Sequence, residues 1–231
     1  VIEVSARERY RSVREELESV CEDAGRPFET VHLVAVSKTV GTDEVASAIE
    51  GGASDFGENR PEGLIEKADA FPDKRWHFIG NIQSRRIVDI VGRASLIHSL
   101  YQFKHAQKIN DVAQEKGIVQ DVLIEVNVSG EESKSGLNPR EVVEFAQQLG
   151  ELDHVRLRGL MTMAPQGDLD RAREVFEELA YLKELLCSQL DDKMAAEVDE
   201  LSMGMSEDWR EAVYAGATII RVGRAIFSEE F

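Results

Sequence analysis

The chain has 231 residues, 42% of them hydrophobic, which suits one globular core of the size of a single α/β barrel, about 200–250 residues. Its 44 acidic and 27 basic residues leave a net charge of −17, a surface that repels phosphate backbones and argues against nucleic acid as a partner. No apolar run approaches the ~18 residues of a membrane span, and the opening VIEVSARERYRSVREELESV lacks the apolar centre of a signal peptide.

A soluble, cytoplasmic protein without membrane attachment is the expectation. The surplus of carboxylates fits a salt-rich surrounding, because salt screens self-repulsion; unfolding midpoints that rise with added salt are the expected result. Cys21 and Cys187 lie far apart, and the five histidines are scattered without zinc spacing, so no metal site is expected.

The first predicted element is an amphipathic helix over roughly residues 3–24, inside an N-terminal helical extension of residues 1–30. It has two readings, a lid on the closed end of a barrel or a dimer surface, and a monomer with a lid is the expectation. Short segments rich in β-branched and aromatic residues then recur as predicted strands at 31–37, 54–58, 76–80, 95–100, 121–128, 156–163, 200–204 and 219–223. Helical stretches such as TDEVASAIEGG, NPREVVEFAQQLGEL and LDRAREVFEELAYLKELL separate them. Thr42 and Asn138 are placed as N-caps, and Pro139 sits where a first-turn proline is tolerated. Eight strands alternating with helices predict a single (β/α)8 TIM barrel over residues 1–231; one strand fewer would leave an open, doubly wound sheet.

Lys38 falls just past the C-terminal end of the first strand, where barrel chemistry takes place. An apolar strand behind it is expected to desolvate the amine and favour its neutral, nucleophilic form. The pattern leaves two readings open: a nucleophile for an aldehyde, or an ordinary solvated loop lysine.

The segment LSMGMSEDWREAVYAGATIIRVGRAIF carries strand seven, a helix and strand eight. Phosphate sites in such barrels are commonly built by the loops after these two strands. Ser206 is placed as the N-cap of the helix between them, and Gly223-Arg224 follows strand eight. Strands one and eight are neighbours in a closed barrel. A phosphate at Ser206 and Gly223 and an aldehyde at Lys38 would therefore anchor the two ends of one small cofactor. Turn geometry alone is the other reading of Gly204 and Gly223. Arg221, inside strand eight, has a functional reading as a donor to a pyridine nitrogen and a structural one as the partner of Glu58 or Glu125.

Seven blocks in register resemble the pyridoxal phosphate homeostasis protein family. They are LVAVSKT (33–39), DFGEN (55–59), WHFIGNIQ (76–83), EVNVSGEESKSGL (125–137), RGLMTMAP (158–165), LSMGMSEDW (201–209) and RVGRAIF (221–227). The resemblance implies a barrel of the alanine racemase N-terminal type and pyridoxal 5′-phosphate held as a Schiff base on Lys38. It implies phosphate contacts from Ser206, Gly223 and Arg224, Arg221 facing the ring nitrogen, and pocket positions at Asn59 and Met203. It also implies a role in intracellular pyridoxal phosphate homeostasis without established turnover, with apo-enzymes as recipients. Three positions depart from the family pattern: Arg60-Pro61 after Asn59, Arg224 where a small or hydroxyl residue is common, and the tail Ser228-Glu229-Glu230-Phe231. Lys134, in the polar loop 129–137, reads either as a ligand or partner contact or as part of a solvated loop.

An amino-acid racemase working through the same lysine is the competing reading. Racemisation needs a proton donor on each face of the substrate. In the resembled two-domain enzymes one donor is a tyrosine presented from a second domain, which is not expected in this chain. Of Tyr10, Tyr101, Tyr181 and Tyr214, only Tyr101 follows a strand closely, where it is expected to open the next helix. A barrel that binds some other phosphorylated metabolite is the third reading, and it leaves Lys38 without a role.

Overall fold

Eight parallel strands close into one barrel in sequence order, and the computed structural model describes residues 4–228. The strands are β1 (His32–Val36), β2 (Asp55–Glu58), β3 (Arg75–Phe78), β4 (Leu96–Leu100), β5 (Gln120–Glu125), β6 (Val155–Met161), β7 (Glu200–Ser202) and β8 (Ile219–Val222). Each falls within a residue or so of a predicted segment at its start and ends earlier at most C-terminal ends, where the chain leaves the sheet to form the site loops. β8 pairs with β1 in the register His32↔Ile219 to Ala35↔Val222, so the ring is closed rather than open.

Around the strands run α1 (Ala6–Asp23), α2 (Thr42–Glu50), α3 (Pro61–Ala70), α4 (Ile87–Ile90), α5 (Phe103–Glu115), α6 (Val142–Leu149), α7 (Leu169–Gln189), α8 (Asp192–Glu197), α9 (Trp209–Tyr214) and α10 (Arg224–Phe227). Capping explains several of their starts. Ser5 and Glu8 form a reciprocal capping box on α1, and Asp168 accepts from the Arg171 amide at 2.9 Å on α7. Asn138 caps its short helical turn through the Arg140 amide, as placed from the sequence. Thr42 does not cap α2: Gly41 holds that position, and the Glu44 carboxylate reaches back to its amide. Tyr101 does not open a helix either, since α5 starts at Phe103 after Gln102.

α1 is not a lid. It packs against α2 on one side and α9 and α10 on the other, burying Tyr10, Val13, Leu17, Val20 and Cys21 in the layer between helices and barrel. Arg9 Nε donates to the Ile226 carbonyl at 2.7 Å, and the Arg7 amide donates to the Ser47 hydroxyl at 3.1 Å. The apolar stripe of α1 therefore completes the helical ring. The first residue of the predicted helix and tail residues 229–231 lie outside the described residues.

Alternation along the strands separates two interiors. Phe56, Trp76, Phe78 and Ile97 face the helices, whereas Val34, Val36, Leu96, Leu123, Met161 and Ile219 pack together inside the barrel. β6 carries a bulge: Val122 pairs with Leu157 and the next residue, Leu123, with Gly159, leaving Arg158 unmatched. Gly159 has φ +155°, and a Cβ there would lie 1.9 Å from the Glu200 carbonyl oxygen, so only glycine lets β6 and β7 approach at this point. Among the described residues, no helix is long and apolar enough to cross a membrane.

Candidate functional site

A cavity of about 870 Å³ opens at the C-terminal end of the barrel. That is the end at which barrel enzymes and binders build their sites, and the size suits a small-molecule pocket. Lys38, Asn59, Ser206, Arg221, Gly223 and Arg224 all line it. Six of the seven residues singled out from the sequence thus meet around one space, although they are spread across four strand ends.

Met203 is the exception. It is completely buried, part of the cluster between barrel and helices, and does not line the cavity. The reason is strand alternation: Ser202 points into the barrel, so the next residue points out. Met205, two residues on, lines the cavity in its place.

Lys38 is exposed within the cavity mouth. The expectation of a desolvated amine does not hold for this structure, because the chain turns away from β1 after Ser37 and carries Lys38 clear of the apolar strand. No hydrogen bond or ion pair occupies its ammonium among the described residues. Its backbone, in contrast, is tied down. The buried Lys67 ammonium donates to the Ser37 carbonyl at 2.6 Å and pairs with Glu58, whose carboxylate also accepts from the Ser37 hydroxyl at 2.8 Å.

The opposite corner of the cavity is formed by the loops after β7 and β8. Ser206 is not an N-cap; Asp208 precedes α9 instead, and its carboxylate accepts from the Met205 amide at 2.7 Å. The Ser206 hydroxyl turns the other way and receives the amides of Gly223 and Ala225 at 3.3 and 3.4 Å. These long contacts converge a hydroxyl and two N–H groups on one spot, the donor set that a phosphate takes. Gly223 lies so close to β1 that a Cβ would sit 3.3 Å from the Val36 carbonyl oxygen. The Arg224 guanidinium pairs with Glu207 at 2.7 Å, which draws it toward the rim. Gly204 sets the course of this loop: its φ is +95°, and a Cβ would come within 2.6 Å of the Ala212 side chain.

Arg221 is 4% exposed and lies between the two ends. It pairs with neither carboxylate considered from the sequence: Glu58 is taken by Lys67, and Glu125 forms no ion pair with it. Instead one Nη donates to the Ser202 hydroxyl at 2.6 Å and the other to the Thr162 carbonyl at 3.1 Å. Burial lowers the guanidinium to about 10, with Asp208 and Glu125 pulling it back up, so it remains a cation and a donor at neutral pH. Burial likewise raises the Glu125 carboxyl to about 7, against the opposing charge of Arg221.

The rim departs from simple expectation at Arg60-Pro61, both of which line the cavity. Pro61 occupies the first turn of α3, where its missing N–H costs nothing, and Arg60 stands before it in extended conformation. Lys134 lies at a smaller adjoining cavity of about 340 Å³, paired with Glu131 at 2.9 Å. The buried Lys67–Glu58 pair and the lining residues Met205 and Asp208 were not singled out from the sequence. Period-two alternation in DFGE would have turned Glu58 away from Gly57 and toward the helix layer, but nothing local names its partner nine residues later.

The family description "Alanine racemase, N-terminal domain" matches residues 10–230. A protein of Aquifex aeolicus named pyridoxal phosphate homeostasis protein is 38% identical over 228 residues, 98% of this chain and 99% of that one. A structure of an unknown protein from Bifidobacterium adolescentis superposes with TM-score 0.91 at 34% identity, covering 96% of this chain and 94% of the other. The structure of PipY from Synechococcus elongatus, with pyridoxal phosphate bound, superposes with TM-score 0.84 at 31% identity over 97% of this chain and 100% of that one.

Proposed function

This chain belongs to the pyridoxal phosphate homeostasis protein family, built on the alanine racemase N-terminal barrel, and we propose that it holds pyridoxal 5′-phosphate in its C-terminal cavity, as a Schiff base on Lys38. The observation that carries this is the donor set of the cavity. One amine without a partner, one convergence of a hydroxyl with two amides, and one buried guanidinium line the same space. They match an aldehyde, a phosphate and a ring nitrogen in kind and number.

When bound, the cofactor supplies an aldehyde carbon that condenses with an amine and releases water. Ser206 with the Gly223 and Ala225 amides would hold the phosphate, Arg221 would donate to the ring nitrogen, and Asn59 would close the β2 side. Arg221 leaves that nitrogen unprotonated, which makes the ring a weaker electron sink than a carboxylate partner would.

That supports holding the cofactor over turning over amino acids. None of the four tyrosines lines the cavity, so the donor on which the racemase reading depends is not supplied from these residues. In this reading the protein acts as a cytoplasmic monomer that supplies apo-enzymes. Loaded protein incubated with single amino acids in deuterium oxide tests it. Negligible α-proton exchange by NMR is the expected result, and exchange at enzyme-like rates would replace holding with racemase chemistry.

A further inference from the structure

The barrel interior contains a file of polar side chains that the cavity does not absorb. Asp55 opens β2 at the N-terminal end of the barrel, where its carboxylate accepts from the Ser54 hydroxyl at 2.8 Å and has Arg75 at 3.6 Å. His77 Nε2 lies 2.9 Å from that carboxylate, His77 Nδ1 lies 2.8 Å from His98 Nε2, and His98 Nδ1 lies 2.8 Å from the Ser202 hydroxyl. Ser202 in turn receives Arg221 at 2.6 Å. Both imidazoles and Ser202 are 0% exposed. β2, β3 and β4 are neighbours, whereas β4 and β7 are not, so the His98–Ser202 link crosses the lumen.

We infer that Ser202, His98, His77 and Asp55 are positioning residues for Arg221, forming one hydrogen-bonded chain with a single donor direction, from the guanidinium at the cavity to the carboxylate at the far end. The direction follows from what each group can do. Arginine only donates, and an ionised carboxylate only accepts. Ser202 has one proton, and with Arg221 donating to its oxygen, that proton goes to His98 Nδ1. A neutral His98 then carries its proton on Nε2 and gives it to His77 Nδ1, and His77 gives its Nε2 proton to Asp55. The reverse tautomers would leave His77 Nε2 bare against a carboxylate, two acceptors 2.9 Å apart.

The titration tendencies agree. Burial lowers both histidines, His98 the more strongly, which keeps them neutral. Burial pushes the Asp55 carboxyl up, but His77, Arg75 and Ser54 together hold it below its ordinary value, which keeps it charged. Every dipole in the chain thus turns its negative end toward Arg221. Two of the guanidinium's donors are committed, one to Ser202 and one to the Thr162 carbonyl, which fixes the plane of the fork.

What Arg221 presents to a ring nitrogen rests on the cofactor reading above; the chain itself does not. The test therefore has two arms on the full-length protein. Long-range ¹H–¹⁵N spectra of the ligand-free protein should show His77 and His98 as neutral Nε2–H tautomers; an Nδ1–H tautomer or a doubly protonated ring at either position at neutral pH overturns the inference. In the second arm, Ser202→Ala shifts the pH midpoint of the bound cofactor's visible band and weakens binding about tenfold, the worth of one charge-assisted hydrogen bond, while Ser202→Thr restores both. A folded Ser202→Ala protein with unchanged band and affinity also overturns it. Wild-type protein that takes up no cofactor sinks the cavity reading alone, and the ring-nitrogen spectra still decide the chain.

Discussion

Lys67 donates its buried ammonium to the carbonyl of Ser37 at 2.6 Å, one residue before Lys38. A charge that water cannot reach thus holds the backbone that leads to the Lys38 amine, and Glu58 neutralises it from the end of β2. Removing one member of a buried pair strands the other and costs about 3–5 kcal/mol. Lys67→Met is expected to lose that much in urea unfolding, and the double variant Glu58→Gln/Lys67→Met is expected to recover most of it. If the single and double variants lose the same amount, the pair is not the source of the effect.

Gly204 holds φ at +95°, and a Cβ there would meet the Ala212 side chain at 2.6 Å and the Trp209 α-carbon at 2.9 Å. Gly204→Ala adds backbone strain of about 1–3 kcal/mol and a side-chain clash. The urea midpoint is expected to fall accordingly. Because Gly204 opens the loop that carries Ser206, cofactor affinity is expected to fall with it. A normal midpoint and affinity would mean that the loop adjusts at no cost.

Burial raises Glu125 to about 7, with Arg221 offsetting part of the rise. Between the ordinary carboxylate value, about 4.3, and about 7 the folded protein keeps a proton that the unfolded chain has released. This group's contribution is therefore full at low pH and is lost as pH rises through about 7. Relative to wild type, Glu125→Gln is expected to gain about 3 kcal/mol between about pH 4 and 8. A wild-type minus variant difference that stays flat with pH contradicts this.

Much of the fold is legible in the sequence because its strands are short apolar runs at regular intervals, each followed by a helix. The cavity residues are legible for the same reason: Lys38 and Asn59 directly follow predicted strands, Gly223 ends one, and Ser206 lies two residues past another. Met203 fails because a motif gives proximity and not side-chain direction, and alternation from the inward-facing Ser202 turns Met203 outward. Ser206 as an N-cap fails because its hydroxyl has a better offer from two amides beyond β8. The Asp55–His77–His98–Ser202 file was unreadable for a deeper reason. Its members come from four strands, and five scattered histidines give no sign that two of them meet inside a closed ring.

In the proposed reading the cofactor attaches at Lys38. The most direct measurement is borohydride reduction of pyridoxal phosphate-loaded protein, followed by peptide mass spectrometry, on wild type and Lys38→Ala. The expected result is a visible band that reduction abolishes, one pyridoxyl adduct on the peptide containing Lys38, and neither band nor adduct in the variant. A band and adduct that persist in Lys38→Ala, or an adduct on Lys134 alone, would contradict it.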